Sequence, residues 1–401
     1  MGGSTPVRPG PGAIPVGVIG AGFIGEVHAR ALRRAGARLV GVAASSPDTT
    51  DDAVTRLGAE RGFAAVDLAT SPEVDVIHIC TPNHLHAPLA RAALEAGKHV
   101  VCEKPLTTDP TVAAELLALV DRAGVVATVP FVYRFYPMVR EARARVAHGP
   151  LAVRLVHGSY LQDWLSTEQD DNWRVDAELS GASRAFADIG SHWCDLVEFV
   201  TGDRLASVCA ELVTAVPERS HAAAHLPAFG TTSDDETSGP RRAVSTEDVA
   251  LVLFRTVAGA SGSVVVSQIS AGRKNQLRLE VVTDGATLAF DQEHPDTLWL
   301  GRRSSSEIVE RDPNHLDPTA APYAIVPAGH PQGYQDCFDA FVADTLRAVD
   351  VGTSTAVDGL PTFADGARAV EITDAVLRSS RDGGWVDVAA VSPAEREEVS
   401  P

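Results

Sequence analysis

The sequence predicts an α/β chain in two halves, a doubly wound parallel sheet followed by a second α/β half on an open, mainly antiparallel sheet. In the first half, short apolar β-branched runs alternate with alanine-rich helical stretches, the texture of strands covered on both faces by helices. In the second half the strands lengthen and alternate apolar with polar residues, as in a sheet with one covered and one free face.

The first-half strands are expected at 14–20, 39–44, 74–80, 98–102 and 125–130. Helices fall between them at 23–36, 83–96 and 110–123, with Gly36, Gly97 and Gly124 where a helix-ending glycine belongs. Such a βαβ series winds a parallel sheet. Residues 13–148 are therefore read as one domain and 149–388 as a second, with tails at 1–12 and 389–401. Alternating strands are expected at 151–160, 247–255, 262–270, 276–283 and 286–290, and Asp284-Gly285 predicts a type I′ hairpin between the last two. Residues 216–246, rich in Ser, Thr, Pro and charge, read as a long loop insertion, and helices at 333–348 and 363–380 close the fold.

Composition narrows the function. A formal net charge of −19 makes nucleic acid and anionic membrane poor partners. No run reaches the roughly 18–20 apolar residues that span a bilayer, and the opening stretch carries no signal-peptide core or myristoylation pattern. Five scattered cysteines without a C-x-x-C pair fit a reducing cytoplasm.

The turn Gly20-Ala21-Gly22-Phe23-Ile24-Gly25 follows a strand and opens a helix, the setting in which this spacing holds a dinucleotide. Gly20 permits the tight turn, Gly22 admits the pyrophosphate, Gly25 lets helix and strand approach, and the amides at Phe23 and Ile24 begin the helix that faces the phosphates. After the second strand stand Ala44, Ser45 and Ser46, with no carboxylate for a ribose 2′-hydroxyl and no basic residue before Arg56, so the cofactor reads as NAD or NADP. Thr81-Pro82-Asn83 with His86, and then Glu103-Lys104, follow strands at the edge where such sheets bind ligands. His78, Cys80, His84 and His86 form no zinc set, because two of them sit on a buried strand without a distant partner pair.

Taken together, Gly20-x-Gly22-x-x-Gly25, Thr81-Pro82-Asn83-His84-x-His86, Glu103-Lys104-Pro105 and Asp188-Ile189-Gly190-Ser191-His192 resemble the ordered motifs of the Gfo/Idh/MocA oxidoreductases over residues 14–385. The resemblance implies an N-terminal Rossmann domain, a C-terminal domain with an open sheet, and catalysis by Lys104, Asp188 and His192. Physical reasoning supports those roles. A lysine at the sheet edge can stabilise a developing alkoxide. Asp188 and His192, four residues apart, share a helix face, and a neutral imidazole can take the hydroxyl proton, giving one ionisation near the histidine range.

For a polyhydroxylated substrate, planar donors and aromatic faces are supplied by Tyr133-Arg134-Phe135, Gln162-Asp163-Trp164, Asn172-Trp173-Arg174 and His330. Arg134, Trp173 and His330 are the selected contacts beside Asp188 and His192. The expected activity is hydride transfer between a nicotinamide and a secondary alcohol of a sugar, sugar derivative or cyclitol, in a homo-oligomer (dimer or tetramer) built on the free sheet face. Two rivals stand beside it: glycoside cleavage through transient oxidation, and a non-catalytic NAD-binding protein.

Overall fold

A computed structural model describes residues 13–149, 152–220 and 240–388. Six parallel strands form the first sheet: β1 (Pro15–Ile19), β2 (Arg38–Ala43), β3 (Arg61–Gly62), β4 (Val76–Ile79), β5 (His99–Cys102) and β6 (Ala127–Thr128). Their order is β3-β2-β1-β4-β5-β6, so the topological switch point lies between β1 and β4. Between them run α1 (Phe23–Arg34), α2 (Pro47–Leu57), α3 (Ala65–Thr70), α4 (His86–Glu95) and α5 (Pro110–Ala123). Gly36, Gly97 and Gly124 take φ of 74°, 71° and 64°, which lets the chain reverse after α1, α4 and α5.

Beyond α6 (Pro137–His148) comes the second sheet, with β7 (Val153–Leu161), then α7 (Ala177–Ser180) and α8 (Ser191–Thr201) before β8 (Leu205–Val213). A small ladder pairs β9 (Glu218–Ser220) with β10 (Arg241–Ala243). The large sheet continues through β11 (Val249–Thr256), β12 (Ser261–Ser267), β13 (Gln276–Thr283), β14 (Thr287–Asp291), β15 (Thr297–Arg302) and β16 (Ser305–Glu310). After α9 (Tyr334–Val351) and α10 (Phe363–Asp382), β17 (Val386–Asp387) completes nine strands in the order β16-β15-β14-β13-β7-β12-β11-β8-β17. One pair, β12 with β7, is parallel, so the sheet is mixed and mainly antiparallel.

Three local expectations change. The 216–246 stretch is ordered at both ends, because Arg219 is buried and donates to the carbonyls of Leu165, Thr167 and Asp170 and to Asp248, fixing β9. Its interior, like the two tails, lies outside the described residues. The Asp284-Gly285 hairpin forms, but Gly285 is not among the positive-φ glycines that a type I′ turn needs. Instead the Thr283 hydroxyl donates to the Ala286 carbonyl and accepts its N–H. The residues of 83–96 form a 3-10 turn (Asn83–Leu85) before α4 rather than one helix.

Alternation on β11 sorts the two faces. Ala250, Val252 and Phe254 are buried, Phe254 against Trp193 of α8, whereas Leu251 and Leu253 remain on the open side. The two halves share one core: Val16, Val18 and Val42 belong to the same buried cluster as Leu196, Phe254 and Leu279. The last helices close that core, α9 against α1 and α10 against both α5 and β8.

Candidate active site

Because β1, β2, β4 and β5 run parallel, their C-terminal ends deliver Gly20, Ala44, Cys80 and Glu103 to one edge. Backbone bonds lock this edge: Gly20 N–H to Ala43 O at 2.8 Å, Cys80 N–H to Ile19 O at 2.6 Å, and Glu103 N–H to Ile79 O at 2.9 Å.

The three glycines of the turn answer different demands. Gly20 has φ of 102°, and a Cβ there would lie 2.3 Å from the Cys80 carbonyl oxygen. A Cβ on Gly25 would lie 2.1 Å from the Gly20 oxygen, so packing of α1 on β1 requires glycine. Gly22 is extended at φ −76°, and a Cβ there would meet no atom within 4 Å. Nothing among the described residues demands glycine at 22, and the open space there fits a ligand backbone lying against the turn, as a pyrophosphate does at a free helix N-terminus. Phe23 is half exposed beside it.

At the tip of β2, Ser46 caps α2 and shares a capping box with Thr49. Arg56, the first cation in reach, is tied to Glu26 and to the Ala21 carbonyl. Asn83 donates to the Ser180 carbonyl at 2.9 Å, tying the Thr81-Pro82 turn to α7. His86 is buried with its ring nitrogens 2.7 Å from Pro105 O and 2.8 Å from Thr81 O. Both ring nitrogens thus lie against backbone carbonyls of the loops after β4 and β5 instead of facing a ligand. Glu103 is also engaged, by His28 and by the backbone N–H of Lys104.

Lys104 and Asp188 meet across the two halves. The Lys104 ammonium donates to Asp188 Oδ1 at 2.6 Å and to its carbonyl at 2.8 Å. Asp188 lies in a single π-helical turn, Phe186–Gly190, that leads into α8. Such turns recur at functional sites because the extra residue redirects side chains. Buried Glu247 holds the start of this turn, accepting from the Ser183 hydroxyl and from the N–H groups of Arg184 and Phe186. Gly190 has room for no Cβ, which would lie 2.6 Å from the Phe186 ring.

Two residues join the site that were not selected from the sequence. Gln268 donates to Asp188 Oδ2 at 2.8 Å, and the Arg174 Nε lies 3.5 Å from Oδ1. The signal for Gln268 was its register, because Val264, Val266 and Gln268 share the inward face and a buried amide there needs a partner. Lys104 and Arg174 together hold the Asp188 carboxyl well below the usual carboxylate range, against the burial that would raise it. The Arg174 guanidinium lies over the Trp173 and Trp164 rings, 4.5 and 5.8 Å from their centres.

His192, on the first turn of α8, is buried with its ring edge-on to Phe131 and Tyr133. Burial, helped by the Lys104 charge and opposed by Asp188, pushes its pKa well below the ordinary histidine value, so the imidazole is neutral. The ionisation expected near the histidine range therefore moves to more acid pH. Its buried Nδ1 has no hydrogen-bond partner among the described residues. Tyr133 forms a closed ring of hydrogen bonds with Tyr160 and Asn275, which Gln162 joins through Asn275. This ring makes the Tyr133 face a stiff wall beside His192.

The other selected substrate contacts separate from this cluster. Arg134 is buried and bidentate on Asp195, with a further bond to Asp365 at 2.8 Å. It borders a distinct cavity of about 260 Å³ lined by Glu198, Arg204 and Arg368. The sequence reading missed this because Asp195 and Asp365 come from α8 and α10, remote in the chain. His330 is exposed on the segment before α9, and the structure brings it to none of these residues.

Comparison with known proteins agrees with this geometry. Residues 14–131 match the model of an oxidoreductase family with an NAD-binding Rossmann fold, and residues 139–289 match the GFO/IDH/MocA C-terminal domain. Levoglucosan dehydrogenase of Pseudarthrobacter phenanthrenivorans is 31% identical over 94% of this chain and 98% of its own length. Inositol 2-dehydrogenase of Rhizobium meliloti is 25% identical over 93% and 98%. A solved levoglucosan dehydrogenase in complex with NADH and L-sorbose superposes with a TM-score of 0.85 at 29% identity, covering 94% of this chain and all of that one. With the glycine turn, the Glu103-Lys104-Pro105 segment and the Asp188–His192 turn in these positions, the chain belongs to the GFO/IDH/MocA family of NAD-binding oxidoreductases.

Proposed function

We propose that the chain oxidises a secondary alcohol of a sugar, sugar derivative or cyclitol, reversibly, with the substrate between the Lys104–Asp188 pair and His192. The observation that carries this reading is the Lys104 ammonium, held 2.6 Å from Asp188 at the sheet edge where the glycine turn also lies. The named activities of the levoglucosan and inositol dehydrogenases support the substrate class. Gly20, Gly22 and Gly25, with Phe23, Ile24, Ala44–Ser46 and Thr81-Pro82-Asn83, would hold the nicotinamide cofactor, which would supply the acceptor for the hydride that leaves the carbinol carbon.

The protein handles the other half of the reaction. Neutral His192 takes the hydroxyl proton as the C–H bond breaks, leaving a ketone and a protonated imidazole. Lys104 donates a hydrogen bond to the oxygen while it carries alkoxide character, and Asp188 orients Lys104. The unpartnered Nδ1 of His192 fits a role completed by substrate, since orphaned buried polar atoms concentrate at catalytic groups. Arg174, close to the Trp173 and Trp164 rings, offers guanidinium donors to a neighbouring hydroxyl. NAD rather than NADP suits the β2 tip, because Arg56 is already committed to Glu26 and Ala21. A panel of sugars, inositols and anhydrosugars assayed for NADH and NADPH formation tests this reading, and no turnover with any of them would refute it.

We further read residues 13–148 as the dinucleotide domain and 149–388 as the substrate domain of a cytoplasmic homo-oligomer. All five cysteines are free, in keeping with a reducing compartment. Among the described residues no helix is long and apolar enough to cross a membrane. The open sheet face presents Leu155, Leu251, Leu253, Val265 and Trp299, a surface suited to self-association.

A further inference from the structure

Behind the sheet edge lies a buried histidine pair that the chemistry above does not use. His28 on α1 and His78 on β4 are both 0% exposed, with their Nδ1 atoms 2.8 Å apart. His28 Nε2 lies 3.1 Å from Oε1 of Glu103, and Oε2 of the same carboxylate accepts the Lys104 backbone N–H at 3.1 Å.

Hydrogen-bond polarity fixes the protons along this chain. A carboxylate only accepts, so His28 donates through Nε2. A neutral His28 then has a bare Nδ1, and His78 must donate to it through its own Nδ1. His78 is left with a bare Nε2, and that nitrogen is the one without a partner among the described residues. The opposite arrangement would charge His28 inside the core and leave His78 with an orphaned N–H, which costs more than an orphaned lone pair. Burial, with His28 alongside, lowers the His78 pKa, in keeping with a neutral ring. Packing alone does not call for histidine at 28, because the Phe338 ring 5.0 Å away would suit an apolar residue equally well. What an apolar residue would lack is the donor for a carboxylate that is itself only 7% exposed.

We propose that His28, with His78 behind it, is a positioning residue for Lys104: a hydrogen-bond chain running from His78 through His28 to Glu103 holds that carboxylate on the Lys104 backbone N–H. The phosphate-binding helix α1 is thereby tied to the residue that meets the substrate oxygen. The proposal rests on the reading of Lys104 as the group that stabilises the alkoxide.

Ring ¹⁵N spectra of the cofactor-free protein test the chain directly. They should show His28 protonated at Nε2 and bare at Nδ1, and His78 protonated at Nδ1 and bare at Nε2. In kinetics, His28→Leu should lower kcat about 10- to 100-fold, as expected for a misplaced catalytic group, with substrate KM and NADH affinity little changed. His28→Gln, whose amide can both donate to Glu103 and accept from His78, should restore most of that rate. A merely structural histidine would lower the melting temperature in both variants without this split between kcat and KM. Wild-type spectra with His28 bare at Nε2 overturn the proposal, as do a His28→Leu enzyme with wild-type kcat and a His28→Gln enzyme no better than His28→Leu. If the wild-type protein oxidises no polyol at all, the proposed function fails, and the spectra still decide whether the chain exists. If His28→Leu does not fold, the spectra and His28→Gln decide.

Discussion

Replacing Lys104 with methionine keeps the length of the side chain and removes its charge and its donors. The lost contacts are the bonds to Asp188 Oδ1 at 2.6 Å and to the Asp188 carbonyl at 2.8 Å, in a site where the lysine side chain is only 13% exposed. Losing one preorganised donor to a developing oxyanion costs about 10²- to 10³-fold in kcat, or roughly 3–4 kcal/mol. The variant also changes the pH dependence in a defined direction. Lys104 is one of the two influences that depress the His192 pKa, burial being the larger. Oxidation in the wild-type enzyme should rise with pH through an ionisation below the ordinary histidine range, as the imidazole loses its proton. Without the lysine charge that ionisation moves up, so Lys104→Met should lose more rate at acid pH than at neutral pH. Asp188 keeps Gln268 and Arg174 as partners, which limits collapse of the site. The assay is NADH formation from a polyol across pH for both enzymes, with NADH affinity measured alongside. A variant with near-normal rate, or with its acid limb unmoved or shifted down, would refute the reasoning.

Three more outcomes follow from the same geometry. Gly22→Ala should leave the melting temperature of the cofactor-free protein unchanged yet weaken NADH binding, and Gly22→Asp should abolish binding. Gly25→Ala should instead destabilise the fold, by about 1–3 kcal/mol, through its clash with Gly20; equal behaviour at the two positions in melting and titration would contradict the division of roles. Arg134→Leu should cost about 3–5 kcal/mol of stability by leaving the buried Asp195 carboxylate without its main partner, while substrate KM in the surviving folded enzyme stays unchanged. A raised KM without loss of stability would return Arg134 to the substrate site. Finally, His78, His99 and His192 all have lowered pKa values in the fold. Below pH 6.5 the unfolded chain binds protons that the folded one does not, so stability is lost as the pH falls, by up to about 1.4 kcal/mol per unit for each of them. Chemical denaturation at several acid pH values measures this slope, and His99→Gln should reduce it.

The parallel sheet was legible because its strands are continuous apolar runs and its helices carry a 3.6-residue period, both local properties. Helices α5, α9 and α10 and the glycines at 20, 25, 36, 97 and 124 follow from the same local rules. So does the meeting of β-strand ends at one edge, since parallel strands separated by helices can do nothing else. Lys104, Asp188 and His192 were picked out by ordered motifs, although the contact between Lys104 and Asp188 was not, because 84 residues separate the lysine from the carboxylate it holds. Tertiary structure alone decided which partners each charged group meets. Arg134 and Arg174 are indistinguishable as residue types in the sequence, each lying beside an aromatic. Folding brings Asp195 and Asp365 to the first and the Asp188 carboxylate, with two indoles, to the second. His86 and His28 were likewise undecidable, because a histidine's role is set by which atoms its two ring nitrogens reach, and those belong to other strands and helices. Pairing between distant carboxylates, carbonyls and cations depends on separations of a few ångströms, and no local pattern in the chain encodes them.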